Sequence, residues 1–153
     1  MNDTERHAIE WECAHNIVRF YRRLDEIRGE EAAALFAEDG VWYRDGDDSG
    51  YTGRVEIAGH VNRLRERGNP AVPPEDRMVI HLVTNVEVTV LDAQTAEVRA
   101  ITTVIPGVRG KDQEPGTTRG MVAVFPTVEI HKKTAEGWKI ASKRTSRALR
   151  VVD

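Results

Sequence analysis

The chain has 153 residues, of which 40% are hydrophobic and 31% charged, and a formal net charge of −3. That length supports one domain with a sizeable core and is short for two. The composition is that of an ordinary soluble globular protein and excludes a disordered or membrane-spanning chain, and the mildly acidic balance gives no general attraction to nucleic acid. Arginines are interleaved with acids, as in Arg63-Leu64-Arg65-Glu66-Arg67, a pattern of solvated helix faces rather than basic patches.

In chain order, Ile9, Cys13, Ile17, Phe20, Leu24 and Ile27 recur at spacings of four, four, three, four and three, one face of an α-helix that Asp3 or Thr4 would cap and Gly29 would end. Glu30 and Glu31 favour the start of a second helix, predicted to run through Ala32-Ala33-Ala34-Leu35-Phe36-Ala37-Glu38-Asp39 until Gly40 releases the strand Val41-Trp42-Tyr43. A turn over Asp45 to Gly50 precedes a brief pairing by Tyr51-Thr52-Gly53. A third helix then spans Val55 to Arg67, with Ile57, Ala58, Val61 and Leu64 inward. Gly68 to Asp76 holds three prolines and reads as a rim loop.

From Arg77 the period changes to two. Strands are predicted over Arg77 to Leu91, Thr95 to Ile105, Arg119 to His131 and Trp138 to about Ser146. Helices first and an antiparallel meander last make an α+β domain, one unit over residues 1–153, with the sheet curved around the helices. Four long strands cannot turn every apolar residue toward one small core, as Val122, Val124, Val128 and Ile130 against Ala123 and Phe125 illustrate. A homodimer or higher homo-oligomer across the outer sheet face is therefore expected.

Cys13 is the single cysteine; it excludes an internal disulfide and sits on the apolar stripe as a small buried hydrophobe. No apolar run follows a positive N-terminal region, so the expectation is a cytoplasmic protein without a membrane partner. His or Cys pairs at zinc-binding spacing and a glycine-rich phosphate loop after a strand are both missing, so neither metal nor nucleotide is expected.

Phe20-Tyr21-Arg22-Arg23-Leu24-Asp25, the segment Ala32 to Trp42, and Met78-Val79-Ile80-His81-Leu82-Val83-Thr84-Asn85 resemble the SnoaL-like, or NTF2-like, superfamily, over almost the whole chain. The resemblance implies a cone of three N-terminal helices packed in a strongly curved, mixed but mostly antiparallel sheet, with a hydrophobic ligand in the open end. Enzymes of the superfamily include polyketide cyclases, ketosteroid isomerase, scytalone dehydratase, limonene epoxide hydrolase and bile-acid 7α-dehydratase. Asp25, His81 and Arg147 fall on the catalytic Asp, His and Arg of the last. Phe20 stands where that enzyme has a tyrosine, with Tyr21 beside it as a substitute, and Val104 stands where it has a second aspartate. Asp45 lies within one residue of the ketosteroid isomerase base, although an Asp-Gly pair favours a plain turn.

What the resemblance implies is a cofactor-independent lyase or isomerase of dehydratase, isomerase or cyclase type, acting on a small hydrophobic carbonyl or hydroxyl compound. His81 would be the general acid/base, Asp25 would orient its imidazole, and Tyr21 with Arg147, or Arg144 in its place, would donate hydrogen bonds to the developing oxyanion. Phe20, Trp42, Tyr43, Tyr51, Val104 and Phe125 would line the pocket. The alternative is a non-catalytic ligand-binding or structural subunit, similar to the β subunits of aromatic-ring-hydroxylating dioxygenases.

Strict alternation from Ile80 to Val90 would turn His81 away from the face that carries Val86 and Val88. A β-bulge near Val83 to Asn85 is predicted to reconcile the two. His7, His15, His60 and His131 are expected at the surface.

Overall fold

In a computed structural model of the protein, all residues are described except Gly46, Gly68, Asn69, Gln113, Arg119, Met121, Val122, Arg147 and 151–153, with the backbone alone for Arg65, Arg67 and Arg150. Val122 and Arg147, both singled out from the sequence, therefore lie outside the described residues.

Helix α1 spans Asp3–Asp25 and buries Cys13, Asn16, Ile17, Phe20, Tyr21 and Leu24, the middle of the expected stripe with Asn16 and Tyr21 added. Its cap is Asn2 rather than Asp3 or Thr4. Asn2 Oδ1 accepts from the Glu5 N–H at 2.9 Å, and Glu5 Oε2 accepts from the Asn2 N–H at 2.8 Å, a reciprocal capping box.

The helix ends at Asp25, earlier than Gly29. Ile27 turns into the left-handed region at φ 57°; its N–H donates to the Leu24 carbonyl and that of Arg28 to the Arg23 carbonyl. This is a Schellman closure with a β-branched residue where glycine is usual, a strain of about 1–2 kcal/mol.

Gly29 instead opens helix α2 (Gly29–Ala33) and lies so close to helix α3 (Gly53–Asn62) that a Cβ would collide with the Asn62 side chain and the Ala58 carbonyl. The second helix is shorter than predicted. Strand β1 already begins at Phe36 (Phe36–Tyr43), because the Leu35 carbonyl accepts from the Ile140 N–H at 2.9 Å and Phe36 is fully buried. Sheet pairing and burial override the helix propensity of the alanines.

Strands β2 (Gly50–Thr52), β3 (Arg77–Val90), β4 (Thr95–Val108), β5 (Thr117–Thr118), β6 (Ala123–Thr134), β7 (Gly137–Thr145) and β8 (Leu149–Arg150) complete the described elements with two short 3-10 turns. The order is β2-β1-β7-β6-β4-β3, with β5 on β4 and β8 on β6. β1 runs parallel to β7 and the other pairs are antiparallel. The result is the expected α+β cone, a curved, unclosed, mixed sheet around three helices.

Bulges in β3 and β7 decide which side chains of those strands face inward. In β3 the pairs Thr84↔Ile101 and Glu87↔Arg99 leave one extra residue on β3, and Asn85 adopts φ 52°. This is the predicted bulge. It lets Val83, Val86 and Val88 all pack on the core. In β7, Ile130↔Ser142 is followed by His131↔Ile140, so Ala141 is extra and the inward row passes from Ile140 to Lys143. Among the described residues, no helix is long and apolar enough to cross a membrane.

Candidate functional site

β3 is an edge strand, so its outward N–H groups lack a strand partner. The C-terminal end of α1 packs there, and Asp25 serves one of those groups. Its Oδ2 accepts from the His81 backbone N–H at 3.0 Å, and its Oδ1 lies 2.5 Å from His81 Nδ1. A carboxylate at Nδ1 selects the tautomer with the proton on that nitrogen, and Nε2 has no hydrogen-bond partner among the described residues. The Tyr21 ring backs the imidazole, centroids 5.1 Å apart.

Asp25 and His81 both border a cavity of about 740 Å³, whose wall includes Leu24, Ile27, Trp42, His60, Val79 and Val104. That volume and apolar lining suit a small organic ligand.

The sequence-derived candidates divide clearly. Asp25, His81, Trp42 and Val104 line the cavity. Phe20 does not: it is fully buried, with its ring edge-on to Phe36 and Trp42. Tyr21 also lies behind the wall, its hydroxyl 3.3 Å from Thr127 Oγ1, so it supports the His81 ring and is not placed to meet an oxyanion. Tyr43, Tyr51 and Phe125 are absent from the described lining. The Arg144 guanidinium lies 3.9 Å from the Tyr43 ring centroid and pairs with Asp48 at 3.0 Å. It is an exposed cation away from the cavity. Asp45 is exposed in the turn after β1.

Most of the lining was not assigned from the sequence, His60 and Arg77 included. His60 is buried rather than at the surface; its ring stacks on Tyr51 at 3.9 Å and meets Trp42 edge-on at 4.9 Å. Its place three residues past Ile57, next to Val61, was the available signal, since both neighbours are core. Arg77, at the start of β3, is the one Lys or Arg among the described lining residues, and its Nε donates to the Val72 carbonyl at 2.8 Å.

Beneath the cavity, behind Tyr21, lies a charge cluster that sequence reading also missed. Lys143, Glu129 and His131 are each 0% exposed. Lys143 Nζ donates to Glu129 Oε1 at 2.6 Å, and His131 Nε2 lies 2.8 Å from Glu129 Oε2. The Lys143 ammonium also sits 4.3 Å from the Tyr21 ring centroid and 4.8 Å from that of Phe20.

Burial disfavours the ionised carboxylate of Glu129. The attraction of Lys143 and the hydrogen bond from His131 outweigh it and hold Glu129 below its ordinary range. Burial likewise opposes the Lys143 ammonium, but Glu129 and then Tyr21 hold that group above its ordinary range. His131 Nδ1 is buried without a partner, which fits a ring whose proton sits on Nε2, since a second N–H would be stranded. The expectation of an exposed His131 fails because residues 127, 129 and 131 share the inward row of β6. Among the described residues, no three His, Cys, Asp or Glu side chains gather as a metal site.

A family model for the SnoaL-like domain matches residues 5–144. No curated protein matches the chain. Among solved structures, an NTF2-like protein with a cystatin-like fold from Novosphingobium aromaticivorans has a TM-score of 0.73 and 22% identity over 94% of this chain and 84% of its own. A candidate scytalone dehydratase from the same organism has a TM-score of 0.71 and 18% identity over 97% and 90%. A protein from Catenulispora acidiphila, in complex with S-DNPA, has a TM-score of 0.69 and 20% identity over 92% and 94%. Identities this low establish the shared fold alone, whereas the family model spans nearly the whole sequence: the chain belongs to the SnoaL-like domain family.

Proposed function

We propose that the protein is a cofactor-independent lyase or isomerase in which His81 moves a proton on a small hydrophobic carbonyl or hydroxyl compound. The observation that carries this reading is the Asp25–His81 pair in the wall of an apolar cavity. Nε2 of His81 takes a proton from a carbon next to a carbonyl, and the electron pair moves onto the carbonyl oxygen. The protonated imidazole then returns its proton to another carbon, which is isomerisation, or to a departing hydroxyl, which is dehydration. Asp25 holds the ring in one tautomer and orientation throughout.

The likeness to a candidate scytalone dehydratase and to a protein crystallised with a small molecule is consistent with this chemistry. The test is hydrogen–deuterium exchange at carbon, followed by NMR in D2O with a panel of apolar ketones and β-hydroxyketones. Exchange by the wild type that falls roughly 10²-fold or more in His81→Ala supports the proposal. Exchange that survives in the folded variant overturns it.

A second reading, assembly into a homo-oligomer or with a partner subunit, is favoured by the outer side of the sheet. There Ile80 and Leu82 are 42% and 48% exposed on an edge strand. Sedimentation of the purified protein as a monomer at micromolar concentration would count against self-association.

A further inference from the structure

Outside the cavity, a second recess opens between the β1–β2 hairpin and helix α3. In the hairpin Trp42 pairs with Tyr51 and Tyr43 with Gly50, and the Arg44 N–H donates to the Ser49 carbonyl at 3.0 Å. Trp42 and Arg44 stand two residues apart and so share one face with Tyr51. On α3, Glu56, Gly59, His60 and the C-cap residue Arg63 follow at helical spacing. Trp42 and His60 line the cavity. Tyr51 instead lines the outer recess, a groove of about 460 Å³ whose wall includes Arg44, Glu56, Gly59 and Arg63. The Tyr51–His60 stack is therefore the partition between the two, and they share no lining residue.

Both guanidinia of the groove are held by what lies beneath them. That of Arg44 sits 5.1 Å from the Tyr51 ring centroid, a cation–π contact. That of Arg63 folds back over Gly59, where a Cβ would come within 3.2 Å of its Nη1, so the bare glycine makes its room. Arg23, Arg28, Arg54 and Arg99 all pair with acids, but neither of these two guanidinia has a hydrogen bond or ion pair to a described residue. The acids nearby are engaged elsewhere. Asp47, which feels the charge of Arg44, accepts from the N–H and hydroxyl of Ser49. Glu56, the acid in the described lining, accepts from the Thr52 N–H at 2.8 Å.

Two cations against one carboxylate leave the groove positive in a chain of net charge −3. Each guanidinium is a planar fork of N–H donors. Two forks on one groove match the double charge and several terminal oxygens of a phosphate, whereas a monocarboxylate satisfies one of them. Val55, 88% exposed, adds an apolar side chain to the wall.

We infer that this groove is a second binding site, separate from the cavity, that takes a phosphate dianion, free or as a small organic monoester, between Arg44 and Arg63.

The test titrates nitrogen-15-labelled protein at pH 8 and constant ionic strength with inorganic phosphate, phenyl phosphate and benzoate, read at the backbone amides of Tyr51, Gly59 and Arg63. At that pH the phosphates carry close to two charges and benzoate one. The wild type is expected to bind both phosphates saturably and at least about tenfold more tightly than benzoate, the scale of one charge-assisted pair. Arg44→Gln and Arg63→Gln are each expected to weaken phosphate about tenfold. Arg19→Gln, which removes an exposed arginine of α1 outside the groove, is expected to leave it unchanged. Glu56→Gln keeps an acceptor for Thr52 and removes the opposing charge. It is expected to tighten phosphate about two- to fivefold, a gain that a folding defect does not mimic.

Tighter binding of phenyl phosphate than of inorganic phosphate assigns the site to an ester, and equal binding to free phosphate. No saturable shift at these amides by about 50 mM phosphate, benzoate bound as tightly as phosphate, or equal weakening in Arg19→Gln and the groove variants overturns the inference.

Discussion

Asp25 holds His81 at two points, Oδ1 on ring Nδ1 at 2.5 Å and Oδ2 on the backbone N–H of the same residue at 3.0 Å. One carboxylate thus closes an open position on the sheet edge and sets the imidazole tautomer. Asp25→Asn preserves the shape but offers a single acceptor oxygen where two are used. We expect the variant to fold, to lose the fixed Nδ1–H tautomer of His81, and to slow any His81-dependent exchange roughly 10²-fold. Nitrogen-15 shifts of the imidazole read the tautomer directly. An unchanged Nδ1–H signature in Asp25→Asn would show that the carboxylate does not set it.

Lys143 and Glu129 form an ion pair with both side chains fully buried. Replacing Lys143 by Met strands a fully buried carboxylate with only His131 beside it, which should cost about 3–5 kcal/mol in urea unfolding. Lys143→Met combined with Glu129→Gln removes the stranded charge and should recover a large part of that loss. Additive losses in the double variant would show that the two residues act independently.

The same pair fixes the pH limits of stability. Glu129 is held below its ordinary value of 4.5, so its contribution is complete above that value and is lost as pH falls through the lower folded one. Lys143 is held above its ordinary value of 10.5; its contribution is complete below that and is lost as pH rises through the higher folded one. Stability from this pair should therefore be flat between about pH 5 and 10 and fall outside it. The deficit of Lys143→Met relative to the wild type should shrink on acidification below about pH 4.5. A deficit constant from pH 3 to pH 7 would remove Glu129 as the partner.

Strong periodicity made α1, α3 and the four long strands legible, and the alternation conflict at His81 was enough to require the bulge that Asn85 supplies. The Asp25–His81 meeting came from the family resemblance, since no local pattern states that a helix end reaches a strand fifty-six residues later. What stayed hidden has a common cause. Lys143 faces inward because of the extra residue Ala141, and an alternation count carried from Trp138 without that bulge puts Arg144 and Lys143 on the wrong sides. His131 beside Lys132 and Lys133 looks like a solvated strand end until β6 is known to be central in the sheet. Phe36 lost its helix for a similar reason, a long-range partner in Ile140.

Cys13 offers a simple check on the packing of α1. Burial first, then the charges of Glu12 and Glu129, push its thiol up to about 12, and only the thiolate reacts with disulfide reagents. The native protein at pH 8 should give no prompt colour with a thiol reagent, and one equivalent after unfolding in urea. Prompt labelling of the native state would mean that α1 leaves the sheet readily.

Asn85 carries the bulge that allows His81 and the valines after it to face one side. Its φ of 52° lies where asparagine is tolerated and a β-branched residue is strained by about 1–2 kcal/mol. Asn85→Val should therefore lower stability by about that amount in urea unfolding, while Asn85→Gly, which meets no steric penalty there, should change it by less than about 1 kcal/mol. If the bulge sets the inward row, strain in Asn85→Val should also disturb His81. The strand can relieve it only by slipping register, which would turn either the imidazole or Val86 and Val88 outward. Chemical-shift changes at His81 in Asn85→Val, absent in Asn85→Gly, are the expected signature. Equal stability and identical His81 shifts in the two variants would show that the bulge holds its place without the conformation of residue 85.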